Sequence, residues 1–252
     1  MTATTTVSEP RRPALDRSTA MRLAITEYDR CVGELRSLTD EAWARPTECA
    51  GWDVRAMAAH MLGMAEMAAS LMEMRRQQKT ARQRGGEFID ALTAVQVEQR
   101  QSLSPNQLVE RFAAVAPKAA RARRRTPGLL RRRAMPEPQP IGDGNHELWT
   151  FGYLLDIILT RDPWMHRTDI SQATGRPMHL TADHDGVLVA DVVHEWADRH
   201  GQPYSLTLTG SAGGQWSAGA GGSTLEMDAV DFCRALSGRG AGHGLLATRV
   251  PF

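Results

Sequence analysis

Three side chains in this sequence have the types and spacing to share one divalent metal ion: His60, Asp162 and His166. Asp162 and His166 are four residues apart, which on a helix sets their Cβ atoms about 5–6 Å apart on one face. A carboxylate and an imidazole suit a borderline divalent metal such as zinc. The run Leu148, Phe151, Leu155, Ile158, Asp162, His166, Asp169 follows helical steps of three and four, so an apolar stripe leads directly into the acid and the histidine. His60 lies on a second stripe, Met57, Met61, Met64, Met67, Leu71, Met74. Alone, such a histidine reads as a hydrogen-bonded core residue. Facing Asp162 and His166 from another helix, it supplies a third ligand. Three protein ligands with one open position is the layout of a catalytic rather than a structural metal site. Asp169, one turn past His166, can orient that imidazole. A competing reading stays open: Asp162-Pro163 is also a cap followed by proline, a good start for a new helix that would turn Asp162 to backbone amides. Pro163 inside a longer helix removes the bond to the carbonyl of Leu159 and kinks it.

The elements that must position these groups are mostly helices. Apolar spacing predicts helices over 18–43, 53–83, 87–101, 104–125 and 146–173, with a Pro/Gly-rich linker from Pro127 to Gly144. Asp53 and Ser104 are caps, the latter followed by Pro105. The texture then changes. A helix over 182–200 precedes an alternating strand over 204–209, glycine-rich turns, a second strand over 223–227 and a short helix over 228–237. The expected fold is mainly α: a disordered arm over 1–16, a helical bundle over 17–175 and a small α/β domain over 176–252.

Composition excludes several classes. Of 252 residues, 30 are Lys or Arg and 29 are Asp or Glu, a formal charge of +1. That balance argues against a dedicated nucleic-acid binder. The arginine tract Arg121, Arg123, Arg124, Arg125, Arg131, Arg132, Arg133 lacks interleaved aromatics for base stacking and reads as a solvated helix end. No run reaches the roughly 18 apolar residues of a membrane span, and the first residues hold no apolar signal segment. Three scattered cysteines, Cys31, Cys49 and Cys233, make no disulfide framework, so a reducing cytoplasm is expected. His194-Glu195 to His200 resembles a zinc-protease helix, but histidines six apart do not share a helix face. The glycines between Gly210 and Gly222 form no phosphate loop. The methionine-rich helix could pack within one chain or across a homodimer.

The segment Gly51-Trp52-Asp53-Val54-Arg55-Ala56-Met57-Ala58-Ala59-His60-Met61-Leu62-Gly63 resembles the first metal-binding helix of DinB-like proteins, in particular of the mycothiol-dependent maleylpyruvate isomerase family. Arg161-Asp162-Pro163-Trp164-Met165-His166-Arg167-Thr168-Asp169-Ile170 resembles that family's second motif, and Ala235-Leu236-Ser237-Gly238-Arg239 resembles its C-terminal Ser-Gly-Arg. The resemblance runs from about residue 18 onward. It implies a DinB-like four-helix bundle followed by a small sterol-carrier-like domain. It also implies a divalent metal, usually zinc, held by His60, Asp162 and His166, and a fourth position for water or the thiolate of mycothiol, the thiol of actinobacteria. Arg239 matches the arginine that holds the anionic substrate. The implied chemistry is thiol addition to a cis double bond, rotation and thiol loss, or thiol transfer to a small anionic electrophile. A thiol-independent metallohydrolase and a non-catalytic binding protein remain alternatives. This chain carries Asp162 where the family has Glu, one methylene shorter, and adds Pro163.

Overall fold

The computed structural model describes residues 9–252. Asp16 opens α1 (Arg17–Arg36) by accepting from the amides of Ser18 and Thr19 at 2.9 and 3.0 Å. Asp53 does the same for α2 (Val54–Ala69), taking the Ala56 amide at 2.7 Å. The next elements are α3 (Leu71–Arg84), α4 (Phe88–Glu98) and α5 (Pro105–Arg125), the last begun by a full capping box between Ser104 and Gln107. After α6 (Gly128–Arg131), the hairpin β1 (Gln139–Gly142) and β2 (Asn145–Glu147) leads into α7 (Phe151–Tyr153) and α8 (Leu159–Thr174). Helices α1, α2, α5 and α8 form a four-helix bundle in which α1 and α2 each pack on α5 and α8. Its core includes Tyr28, Leu35, Met57, Leu62, Phe112 and Ile170. Helices α3 and α4 pair with each other and cover α2.

The C-terminal region contains α9 (Val187–His200), strands β3 (Tyr204–Thr209), β4 (Gly214–Ala218) and β5 (Ser223–Asp228), and α10 (Ala229–Ser237). Strand β3 is central, antiparallel to β4 and parallel to β5. The molecule is therefore mainly helical with a small C-terminal sheet. Helix α8 serves both halves. Ile170 joins the bundle core, while Trp164 and Met165 join a second core with Val192, Trp196, Leu206 and Phe232. No helix among the described residues is long and apolar enough to cross a membrane.

Several expectations need correction. The helix expected over 18–43 ends at Arg36, a separate 3-10 turn spans Asp40–Ala44, and the glycine-rich turns before residue 223 contain a third strand, β4. Residues 1–8 of the expected disordered arm lie outside the described residues, but 9–16 are tied down. Arg11 bonds through its backbone to Leu148 and Thr150, and its guanidinium meets Glu147 at 2.7 Å. The helix expected over 53–83 breaks at Ser70, whose extended backbone ends α2 and whose hydroxyl caps α3 through Glu73. Leu71 thus leaves the methionine stripe and is exposed. The helix expected from 146 begins only at Phe151, because His146 belongs to β2.

A further correction concerns the arginine tract. Between α7 and α8, residues Leu154–Ile158 form a π turn, in which the Leu159 amide reaches back to the Leu154 carbonyl and frees that of Leu155. Pro163 sits inside α8 and has no amide to give the Leu159 carbonyl. Arg123 repairs both defects. Its Nε donates to the Leu155 carbonyl at 2.8 Å and its Nη1 to that of Leu159 at 2.9 Å. It is 1% exposed, and Arg131 is buried on Asp156. These two arginines hold the backbone that carries Asp162; they are not a solvated face. Asp162 does not start a helix, since α8 begins three residues earlier.

Buried charges also join α8 to the C-terminal region. Arg161 meets Asp191 at 2.7 Å and Glu195 at 2.9 Å, and Glu195 also accepts from Tyr153 and Arg199. Glu195 is thus part of a buried network, whereas its neighbour His194 is exposed. Burial alone would raise the Glu195 carboxyl, but the Arg161 and Arg199 guanidiniums outweigh it and hold it below its ordinary value. A depressed folded-state pKa stabilises above the unfolded value of about 4.3 and is lost as pH falls through that range. Thermal melts are expected to hold steady above about pH 6 and to fall as the pH drops through that carboxylate range. Glu195→Gln is expected to flatten that acid slope; an unchanged slope would remove Glu195 from the account.

Candidate metal centre

His60 lies in the second turn of α2 and faces α8 across the bundle. Asp162 and His166 project from successive turns of α8. The three side chains converge. Asp162 Oδ1 lies 3.5 Å from His60 Nε2 and 3.5 Å from His166 Nε2, and one ligand atom from each residue falls within 4.8 Å of the others. The imidazoles are 3% and 6% exposed and meet edge to face at 5.0 Å. Trp52 covers them, its ring centre 5.2 Å from that of His60 and 6.3 Å from that of His166.

The Asp162 carboxylate and the two histidines hold opposite charges against each other. Burial would raise the Asp162 carboxyl, but the adjacent His166 and His60 hold it far below its usual range. Burial would also lower the His166 imidazolium, yet Asp162 and Asp169 raise it well above the ordinary histidine value. Asp162 Oδ2 is buried and has no hydrogen-bond partner among the described residues. A carboxylate with Oδ1 beside two imidazole Nε2 atoms and Oδ2 without a partner fits a divalent cation, and two nitrogens with one oxygen is a zinc-type donor set.

Both histidines are gripped from behind. Asp169 Oδ2 lies 3.0 Å from His166 Nδ1, and Gln96 Oε1 lies 2.8 Å from His60 Nδ1. Each Nδ1 therefore serves as donor, so a bound metal that displaced the Nε2 proton would find both Nε2 lone pairs on the side of Asp162. Gln96 is fixed in turn, its amide donating to Gln77 Oε1 at 3.0 Å. Gly63 permits this approach: a Cβ there would stand 2.7 Å from the Gln96 Cβ. Gln96 escaped the sequence reading because α4 carries a weak pattern. The available signal was a glutamine set beside Val95 and Val97 in an otherwise apolar helix. Gln96→Leu is expected to weaken zinc binding by about 10–100-fold, read by competition with a chromophoric chelator. Undiminished affinity in a folded variant would mean that His60 needs no such support.

Arg239, from the turn after α10, reaches the same site from the C-terminal region. Its Nε and Nη2 donate to the two oxygens of Asp169 at 2.6 and 2.8 Å. Asp169 thus links His166 to Arg239, and its carboxyl is held below the ordinary range: burial raises it, but bonds from His166 and Arg239 dominate. Cys49 Sγ stands 3.8 Å from both Asp169 Oδ2 and Arg239 Nη2. A second possible metal group, Cys49 with His166 and Asp169, is thereby formed, but the Arg239 guanidinium already neutralises it. Beside the triad a cavity of about 280 Å³ is lined by His60, Asp162, Arg239 and mostly apolar residues. A wider open cleft between α1 and α5 contains none of these groups.

A helical bundle that gathers two histidines and a carboxylate beside a cavity, with a small sheet domain set against them, defines a bundle protein with a candidate metal centre. The family model described as the mycothiol maleylpyruvate isomerase N-terminal domain matches residues 24–171, and the chain belongs to that family. The structure is similar to a crystal structure of the mycothiol-dependent maleylpyruvate isomerase, with 16% identity, a TM-score of 0.55 and 90% of this chain and 91% of that chain covered. It is equally similar to a histidine-to-alanine mutant of that isomerase, with 15% identity, a TM-score of 0.57 and the same coverage. No curated protein matches it in sequence.

Proposed function

We propose that this chain is a metal-dependent enzyme that uses mycothiol, or a similar low-molecular-weight thiol, to isomerise a small electrophile or transfer sulfur to it. One observation carries this reading. His60, Asp162 and His166 converge at the wall of a cavity, with Asp162 Oδ2 buried and unpartnered among the described residues. A zinc ion held by these three residues would lower the pKa of a thiol and act as a Lewis acid toward a carbonyl.

The chain's own groups do the rest. Gln96 and Asp169 fix the tautomers that turn both Nε2 atoms toward Asp162. Trp52 shields the imidazoles from water. Arg239, anchored on Asp169, keeps Nη1 free of protein partners among the described residues and can donate to a substrate oxygen. A reducing cytoplasm suits both a thiol co-substrate and the three free cysteines.

The test is turnover of an activated alkene by zinc-loaded protein with and without mycothiol, followed by mass spectrometry. Isomerised product or thiol adduct is expected only when thiol and metal are both present. Turnover without thiol would point to a hydrolase, and no turnover with a panel of electrophiles would favour a binding role.

A further inference from the structure

The C-terminal end of α5 and the helical turn α6 gather charge of one sign. From Arg111 to Pro136 the chain carries nine Lys or Arg and no Asp or Glu, while the rest of the sequence carries 21 Lys or Arg against 29 Asp or Glu. A chain that is near neutral overall is thus strongly polarised. Arg123 and Arg131 turn inward and spend their charge on the π turn and on Asp156. The others do not. Arg121, Arg124, Arg125, Arg132 and Arg133 are exposed, and the tract's one ion pair among the described residues is that of Arg131 with Asp156. On α5, Arg121, Arg124 and Arg125 share a face by their spacing of three and four.

Closing the helix does not require these five. The carbonyls of Arg123 and Arg124 already accept from Arg131 and Arg17, and that of Thr126 accepts from both. Nor is the patch purely polar. Leu129 is 71% and Leu130 41% exposed, both in α6. Leu129 lies one turn before Arg132, whose backbone is still helical, so the two share a face. An open cleft carries the same mixture onto α1, where Arg17, Arg22 and the exposed Ile25 lie beside Arg124.

Unpaired guanidiniums call for phosphate or carboxylate, and exposed leucines set among them call for hydrocarbon. A nucleic acid answers only the first demand, and no Phe, Tyr or Trp stands between 121 and 133 to stack on a base. A bilayer containing acidic phospholipid answers both. We propose that the α5–α6 corner is a peripheral docking surface for an anionic lipid bilayer. The exposed arginines bind lipid phosphates, and Leu129 and Leu130 enter between the headgroups. The acidic remainder of the chain is repelled, which fixes the end that faces the lipid. None of these residues lines the cavity beside His60 and Asp162, so this surface is independent of the metal centre.

The experiment is flotation of the full chain with vesicles at physiological ionic strength. Vesicles of phosphatidylcholine and phosphatidylglycerol in equal parts are expected to carry the protein up, vesicles of phosphatidylcholine alone to leave it behind, and added salt to release it. Each arginine brought to an anionic surface adds roughly fivefold to partitioning, so Arg125→Glu with Arg132→Glu is expected to cut binding by about tenfold or more. Leu129→Ser with Leu130→Ser is expected to cut it by about tenfold while the salt response stays. All four positions are exposed, and circular dichroism checks that both variants fold. A duplex DNA oligonucleotide is the competing probe. DNA bound as tightly as the mixed vesicles, and undiminished by the leucine changes, would make this a nucleic-acid face and overturn the proposal. Equal flotation with phosphatidylcholine alone, no flotation with the mixed vesicles, or variants that float like the parent chain would overturn it as well.

Discussion

His166→Ala is expected to take bound zinc from near one per chain to near zero after dialysis, while helix content by circular dichroism stays unchanged. His166 is where the site's interactions meet. Its Nε2 faces Asp162 Oδ1 at 3.5 Å, and its Nδ1 is held by Asp169, which also anchors Arg239. Removing it leaves one imidazole and one carboxylate on different helices, too few donors for a three-ligand zinc site. The loss should exceed the 10–100-fold cost of removing only an outer support such as Gln96. His60→Ala is expected to behave alike, since His60 is the only ligand candidate from α2. Full zinc content in a folded His166→Ala variant would show that the metal sits elsewhere.

Arg161→Leu is expected to give the largest stability loss of any single change considered. Arg161 is 1% exposed and bridges Asp191 and Glu195 of α9, while also donating to the Pro251 carbonyl in the C-terminal tail. Glu195 would keep Arg199 and Tyr153, but Asp191 has no other ionic partner among the described residues. Breaking a buried pair by removing one partner costs about 3–5 kcal/mol. At about 2–4 °C per kcal/mol for a chain of this size, the melting temperature should fall by roughly 10 °C. Adding Asp191→Leu should return part of that loss, because the stranded charge goes too. A shift of one or two degrees in Arg161→Leu would mean that Asp191 finds water or another partner.

The convergence of His60, Asp162 and His166 was legible because helical spacing carries it. Asp162 and His166 need only an i, i+4 relation, and His60 lies on its own stripe between Met57 and Met64. The bundle helices were legible for the same reason; two of the three C-terminal strands were legible from alternation, but β4, within the glycine-rich stretch, was not. What spacing could not show was long-range repair. The π turn at Leu154–Ile158 and Pro163 each free a carbonyl, and only a distant arginine, Arg123, makes that arrangement tenable. Read locally, that arginine belongs to a charged run; read in three dimensions, it supports the helix carrying Asp162. Gln96 was hidden likewise, since a glutamine in a weakly patterned helix gives no sign that it faces His60. The pairing of Arg239 with Asp169 joins residues 70 positions apart, which no local pattern reveals.

Zinc-edge X-ray absorption on the metal-loaded protein, before and after addition of mycothiol, tests the central proposal most directly. Before addition, the zinc should show nitrogen and oxygen neighbours only, at about 2.0–2.2 Å. On addition, one sulfur neighbour at about 2.3 Å should appear, and it should be absent in His60→Ala and His166→Ala. A zinc shell that stays free of sulfur at saturating thiol would contradict a thiol-using metal centre built on His60, Asp162 and His166.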